Sequence, residues 1–185
     1  MKRILVCGPH AVGKSLLVYT FSNYLKHKKV SAKIVHLDSA AKRLSFVPDL
    51  DVRHFFRGVD AFETVQKAVR DKTFQDEISA LKAQVVLLDA PSGLDWILFG
   101  ALPRFCDEGW LVSAEPATAS LTRAVSEALE VDCLNVVNQR QRLSGQQKTL
   151  SLFSLQTPRQ SHGVFVNAWE REGFVELHQL ALKRG

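Results

Sequence analysis

No stretch of about 18 consecutive uncharged apolar residues occurs, the least a helix needs to cross a bilayer, so the sequence offers no transmembrane span. Cysteine is scarce. Cys7, Cys106 and Cys133 form an odd, widely spaced set without a C-x-x-C pair. That excludes a disulfide scaffold and predicts reduced, buried thiols in or beside regular elements. No internal repeat or low-complexity segment is visible. With 46% hydrophobic and 23% charged residues, a disordered tail and a collagen-like fibre are also excluded. Charge of one sign is in small surplus, 24 Lys+Arg against 19 Asp+Glu, for a net +5. The basic residues are scattered, which argues against nucleic acid as a partner. Met1-Lys2-Arg3 followed by Ile4-Leu5-Val6-Cys7 is too short an apolar run for a secretory signal, so a cytoplasmic location is expected.

What is present fits one domain of 185 residues. Apolar runs of strand length alternate with segments of helical period. This pattern predicts an α/β protein, a three-layer sandwich around a mostly parallel sheet. The expected strands are residues 3–7, 33–37, 85–89, 109–113, 133–137 and 149–155. Continuous apolar stretches such as Val85-Val86-Leu87-Leu88 suit strands covered on both faces. Helices are expected over 14–27, 61–72, 74–83, 95–105, 119–130 and 172–183, with polar surface connections over 139–148 and 156–163.

Gly8-Pro9-His10-Ala11-Val12-Gly13-Lys14-Ser15 matches G-x-x-x-x-G-K-[ST] at every fixed position, directly after a strand and opening a helix. Backbone N–H groups of such a loop converge on phosphates, and the helix N-terminus adds its positive dipole end. Gly8, Pro9, His10, Ala11, Val12, Gly13, Lys14, Ser15 and Leu16 are the expected nucleotide-binding segment of this P-loop NTPase fold. Lys14 would reach the β- and γ-phosphates, and Ser15 would place its hydroxyl on Mg²⁺. His10 either touches phosphate or faces solvent, and carries no catalytic role.

Val35-His36-Leu37-Asp38 and Val86-Leu87-Leu88-Asp89 each end an apolar run with an aspartate. Ligands of open parallel sheets bind beyond the carboxyl ends of the strands, which places Asp38 and Asp89 at the nucleotide. There a carboxylate can hold Mg²⁺ through water or orient an attacking water, or simply cap the next turn. The following Ala90-Pro91-Ser92-Gly93 reads as a switch, in which Gly93 lets a backbone N–H approach the γ-phosphate, with a plain Pro-Gly turn as the alternative. Trp96 and Phe99 beyond it are expected in the core, with a partner-binding helix face as the alternative.

Leu88-Asp89-Ala90-Pro91-Ser92-Gly93-Leu94-Asp95 resembles the D-x-P-A-G-[IL]-[ED] segment of the MinD/ParA-type ATPases. Asp107-Glu108-Gly109-Trp110-Leu111-Val112-Ser113-Ala114-Glu115-Pro116 resembles a further strand and loop of that family. Asn135-Val136-Val137-Asn138-Gln139-Arg140 resembles its VVNR strand end, which implies a base contact for Asn138. A second likeness is to the GPN-loop GTPases, through His36-Leu37-Asp38-Ser39-Ala40-Ala41 and Pro48-Asp49-Leu50-Asp51-Val52-Arg53. Both families belong to the SIMIBI class of P-loop NTPases, and the likeness spans roughly residues 1–140. Pro9 stands where the MinD/ParA loop carries its signature lysine, the GPN insertion is absent, and Asn138-Gln139-Arg140-Gln141 lacks the Asp that reads guanine. The last absence favours ATP over GTP.

The resemblance implies a slow ATP·Mg²⁺ hydrolase acting as a switch, with a nucleotide-dependent homodimer and a protein partner. Lys14, Asp38 and Asp89 would be its catalytic residues, and Ser15, Asp38 and Asp89 its metal ligands. Three alternatives stand beside it: a GPN-like GTPase, a small-molecule P-loop kinase whose lid uses Arg140 and Arg142, and a nucleotide-retaining module without hydrolysis. Phe174, Val175, Leu177, Leu180, Ala181 and Leu182 give the last helix an apolar face, ahead of Lys183-Arg184. MinD-type ATPases grip membranes with such a helix. Its polar face, with Glu176, His178 and Gln179, is poor in Lys and Arg, so packing on the sheet is expected and a membrane partner is not.

Overall fold

The alternation of side chains along β1 (Lys2–Cys7) sorts the core into two layers. Ile4 and Val6 enter one hydrophobic cluster, Leu5 and Cys7 the other. A strand buried on both faces must lie inside a sheet covered by helices on both sides. The computed structural model describes residues 1–57, 60–139 and 164–183, and has that architecture. After β1 come α1 (Lys14–His27), β2 (Ala32–His36), β3 (Leu50–Asp51) and a short 3-10 turn (Val52–His54). Next are α2 (Ala61–Arg70), α3 (Lys72–Ala80), β4 (Val85–Asp89) and α4 (Asp95–Leu98). The chain continues through β5 (Glu108–Ser113), α5 (Ala119–Leu129), β6 (Cys133–Asn138), β7 (Val164–Val166) and α6 (Phe174–Lys183).

Seven strands pair in the order β3-β2-β4-β1-β5-β6-β7, and every pairing is parallel. The expected α/β sandwich is therefore present. β1 lies between β4 and β5, so the loop after β1 emerges where successive crossovers diverge to opposite sides of the sheet. That is where open α/β sheets bind ligands.

On one face, α1 and α6 cover Ile4, Val6, Leu87, Trp110 and Val136. Phe21 of α1 meets Trp110 at 5.3 Å and Phe174 of α6 at 5.3 Å, both edge-to-face. Phe174, Leu177, Leu180 and Ala181 of α6 are buried in this contact, whereas Val175 and Leu182 of its expected apolar face are exposed. Helices α2 to α5 cover Leu5, Val35, Leu88 and Leu111 on the other face. Cys7 and Cys106 are buried free thiols, as expected, whereas Cys133 is only half-buried. Burial pushes the thiols of Cys106 and Cys133 up to about 12. No helix among the described residues is long and apolar enough to cross a membrane.

The structure shortens several expected elements for local reasons. Asp71 adopts extended backbone, which ends α2, and its carboxylate then caps α3 by accepting from the Phe74 N–H. The helix expected over 95–105 stops at Leu98. Ala101 turns to φ +43, and Pro103 two residues on cannot continue a helical ladder. This early end leaves Phe99 77% exposed, a correction to its expected place in the core, whereas Trp96 is buried as expected. The strands β3 and β7, two and three residues long, went unforeseen. The strand expected over 149–155, Arg140, Arg142, Arg184 and all but Gln139 of the two polar connections lie outside the described residues.

Candidate nucleotide-binding site

The loop after β1 is shaped by backbone that only glycine tolerates well. Gly8 sits at φ +145, and a Cβ there would stand 2.1 Å from the Val112 carbonyl oxygen of β5. Gly13 sits at φ +81, where a Cβ would approach Asn138 Nδ2 to 2.6 Å. Lacking a side-chain cap at its start, α1 leaves its first N–H groups directed into the loop, as anion binding requires.

Lys14 opens α1 and is 6% exposed. Its ammonium donates to the carbonyls of Pro9 at 2.8 Å and Gly8 at 3.1 Å, and to Ser92 Oγ at 3.4 Å. Burial pulls it below the ordinary lysine value, against the opposing pull of Asp89, Cys7 and Asp38. A cation is thus held over the loop, next to both strand-end aspartates.

The two aspartates differ. Asp89 ends β4 and is fully buried, with Oδ2 3.2 Å from His36 Nδ1. Its Oδ1 has no hydrogen-bond partner, and neither does His36 Nε2. A buried orphan acceptor at the mouth of the phosphate loop fits a donor brought by a ligand, such as a metal-bound water. Asp38 lies half-buried just past β2, where its Oδ1 accepts from the Ala40 N–H at 2.9 Å. Among the described residues no group of three or more His, Cys, Asp or Glu could hold a metal unaided.

The segment after β4 is clamped to the loop. The Gly93 N–H donates to the Gly8 carbonyl at 3.2 Å, and His10 Nδ1 lies 3.2 Å from Ser92 Oγ. Trp96 Nε1 donates to the Gly93 carbonyl at 3.1 Å, which fixes this turn to α4. At the sheet edge next to β2, Arg53 clasps Asp51 of β3 through Nε at 2.9 and 3.0 Å and bonds the Ala41 carbonyl at 2.8 Å. Burial alone would raise the Asp51 carboxyl, but the Arg53 hydrogen bonds outweigh it and hold it low.

Asn138, at the end of β6, acts inside the protein. Its Nδ2 donates to the Val12 carbonyl at 2.9 Å, and its Oδ1 accepts from the Ala168 N–H at 3.1 Å. The phosphate loop and the turn after β7 are joined through this one amide. Gly8, Lys14, Asp38, Asp89 and Ser92 thus lie together on the β4 side of β1, and Asn138 lies on the β6 side. Ser15 and Leu16 occupy the first turn of α1 beside them.

Sequence reasoning missed two partners. His36 escaped because an internal histidine in a buried strand reads as core filler, although its position two residues before Asp38 was a signal. The turn at Asn167-Ala168-Trp169 escaped because its tie to Asn138 spans 30 residues.

The parallel sheet and the loop after β1 are those of the P-loop NTPase fold. Residues 6–92 match the family described as "Conserved hypothetical ATP binding protein". Among solved structures, the chain is similar to the apo form of a GTPase from Pyrococcus abyssi. That match has TM-score 0.70 and 18% identity, over 98% of this chain and 96% of that one. Cobyrinic acid a,c-diamide synthase from Mycobacterium smegmatis, with bound ADP and magnesium, matches at TM-score 0.52 and 13% identity, over 98% and 93%. A plasmid partition protein from Borrelia burgdorferi matches at TM-score 0.50 and 13% identity, over 97% and 96%. No curated protein sequence matches the chain.

Proposed function

We propose that this chain is a nucleotide-driven switch that binds ATP with Mg²⁺ at Gly8 to Leu16 and hydrolyses it slowly. The observation that carries the reading is Lys14. A buried ammonium held by two loop carbonyls and Ser92 is a cation stored where a terminal phosphate would sit. Phosphate oxygens would replace those neutral acceptors with charged ones, a stronger hydrogen-bond set. Lys14 would then stabilise charge on the transferring phosphoryl group, and Asp38 would orient the attacking water. Ser15, Asp38 and Asp89 would hold Mg²⁺, the carboxylates through water, which suits the orphan Asp89 Oδ1. Bound there, the ion supplies neutralisation of the β- and γ-oxygens.

The switch reading rests on Gly93. Its N–H is spent on Gly8 when no γ-phosphate is present, and a γ-phosphate oxygen competes for it. Because Trp96 Nε1 holds the Gly93 carbonyl, movement of Gly93 is passed to α4 and to the exposed Phe99. That surface suits a partner whose binding depends on the nucleotide, and a second copy of the chain is the favoured one.

A second reading, GTP in place of ATP, is favoured by similarity to the Pyrococcus abyssi GTPase and by the Asp51–Arg53 pair at the GPN-like segment. Phosphate release from ATP and from GTP, measured for the wild type and Asp38→Ala, tests both. We expect slow release that Asp38→Ala abolishes while nucleotide binding persists, and a nucleotide-dependent rise in mass. Undiminished release in Asp38→Ala, or transfer to an added acceptor instead of water, would overturn the proposal.

A further inference from the structure

We propose that Trp169 is a stacking platform for the nucleotide base; this rests on the nucleotide-binding reading above and goes beyond its phosphate contacts. On that reading the terminal phosphate would lie beside Lys14 and Ser92, whose Nζ and Oγ are 3.4 Å apart on the β4 side of β1. The ribose and base must then extend to the opposite side, where β5, β6 and β7 end. Asn138 marks that side, tying the phosphate-loop carbonyl of Val12 to the N–H of Ala168. Trp169 is the next residue, two hydrogen bonds and one peptide removed from the loop that holds the phosphates.

The turn carrying this indole is rigid. Buried Asn167 accepts at Oδ1 from the N–H groups of Trp169 and Glu170, both at 3.1 Å. Asn167 and Glu172 exchange a backbone pair at 3.1 and 3.2 Å. Gly173 closes the turn at φ +76, where a Cβ would stand 2.2 Å from the Phe165 carbonyl oxygen. Trp169 nevertheless presents its ring to water, 73% exposed, while Trp96 and Trp110 are 3% and 0% exposed. A large aromatic left in solvent on a hydrogen-bonded turn gains little from folding and offers its face to a flat partner. Every nucleobase has a π-face, so the stack would add affinity without choosing between adenine and guanine. That suits a site whose Asn138 amide is engaged at both ends within the protein.

Acrylamide quenching reads the proposal directly, because Trp169 is the one exposed indole of the three. With Mg²⁺, saturating ATP or GTP should shield the quenchable fluorescence, whereas inorganic tripolyphosphate should bind without shielding it. In calorimetry, Trp169→Ala should weaken nucleotide binding about tenfold and leave tripolyphosphate binding unchanged, and Trp169→Phe should recover most of the loss. Nucleotide binding with Trp169 still fully quenchable, or Trp169→Ala binding nucleotide like the wild type, would overturn the stacking platform alone. Absence of binding by ATP, GTP and tripolyphosphate together would overturn the nucleotide reading beneath it.

Discussion

Replacing Asn138 by Ala removes the link between the phosphate loop and the turn after β7. Two hydrogen bonds are lost, from Nδ2 to Val12 O at 2.9 Å and from the Ala168 N–H to Oδ1 at 3.1 Å. Each neutral bond contributes about 1 kcal/mol net, so their sum is about 2 kcal/mol. Asn138 is half-buried, so water can satisfy part of what is orphaned, and about 1–2 kcal/mol of destabilisation remains. For a domain of this length each kcal/mol moves Tm by roughly 2–4 °C, giving a fall of roughly 2–8 °C. Hydrogen exchange adds a local reading, since the Ala168 amide should lose protection that neighbouring β6 amides keep. Asn138→Asp separates stability from function. It keeps an acceptor for Ala168 but sets a carboxylate against the Val12 carbonyl, near the phosphates. Nucleotide affinity should therefore fall further in Asn138→Asp than in Asn138→Ala. An unchanged Tm together with unchanged Ala168 exchange in Asn138→Ala would refute the linkage.

Gly8→Ala should destabilise by about 3 kcal/mol or more, because strain at positive φ adds to a clash with the Val112 carbonyl; a melt falling by less than roughly 6 °C would contradict this. Lys14→Ala should weaken triphosphate binding about a hundredfold in calorimetry, the loss expected for hydrogen bonds from a charged donor. Its Tm without nucleotide should equal or exceed that of the wild type at neutral pH, since a buried cation is removed. Nucleotide binding should also take up a proton at alkaline pH. Burial lowers Lys14 in the free protein, a phosphate beside it would raise it again, and affinity should fall as pH rises between those two values. Calorimetry in buffers of different ionisation enthalpy measures that proton, and its absence there would contradict the placement of Lys14.

Much of this was legible in the sequence wherever the determinants are local. The loop from Gly8 to Ser15 declares itself by spacing, and the strands that lead to Asp38 and Asp89 by their apolar runs. The sheet order was not legible, because β1 takes its neighbours from crossovers that no local pattern encodes. β3 and β7 are too short to carry a period, and exist because Asp49 and Val166 find partners across the sheet edge. The helix begun at Asp95 ran too far because Trp96, Ile97 and Phe99 look helical until Pro103. The role of Asn138 was hidden for a plainer reason: its partner Val12 lies 126 residues away.

Calorimetric titration of the wild type and Lys14→Ala with ATP, GTP, ADP and GDP in the presence of Mg²⁺ decides whether the loop from Gly8 to Leu16 holds nucleotide through Lys14. The wild type should bind triphosphate with a stoichiometry of one, and Lys14→Ala should bind it about a hundredfold more weakly. Absence of binding by all four nucleotides, or binding that survives Lys14→Ala undiminished, would contradict that reading.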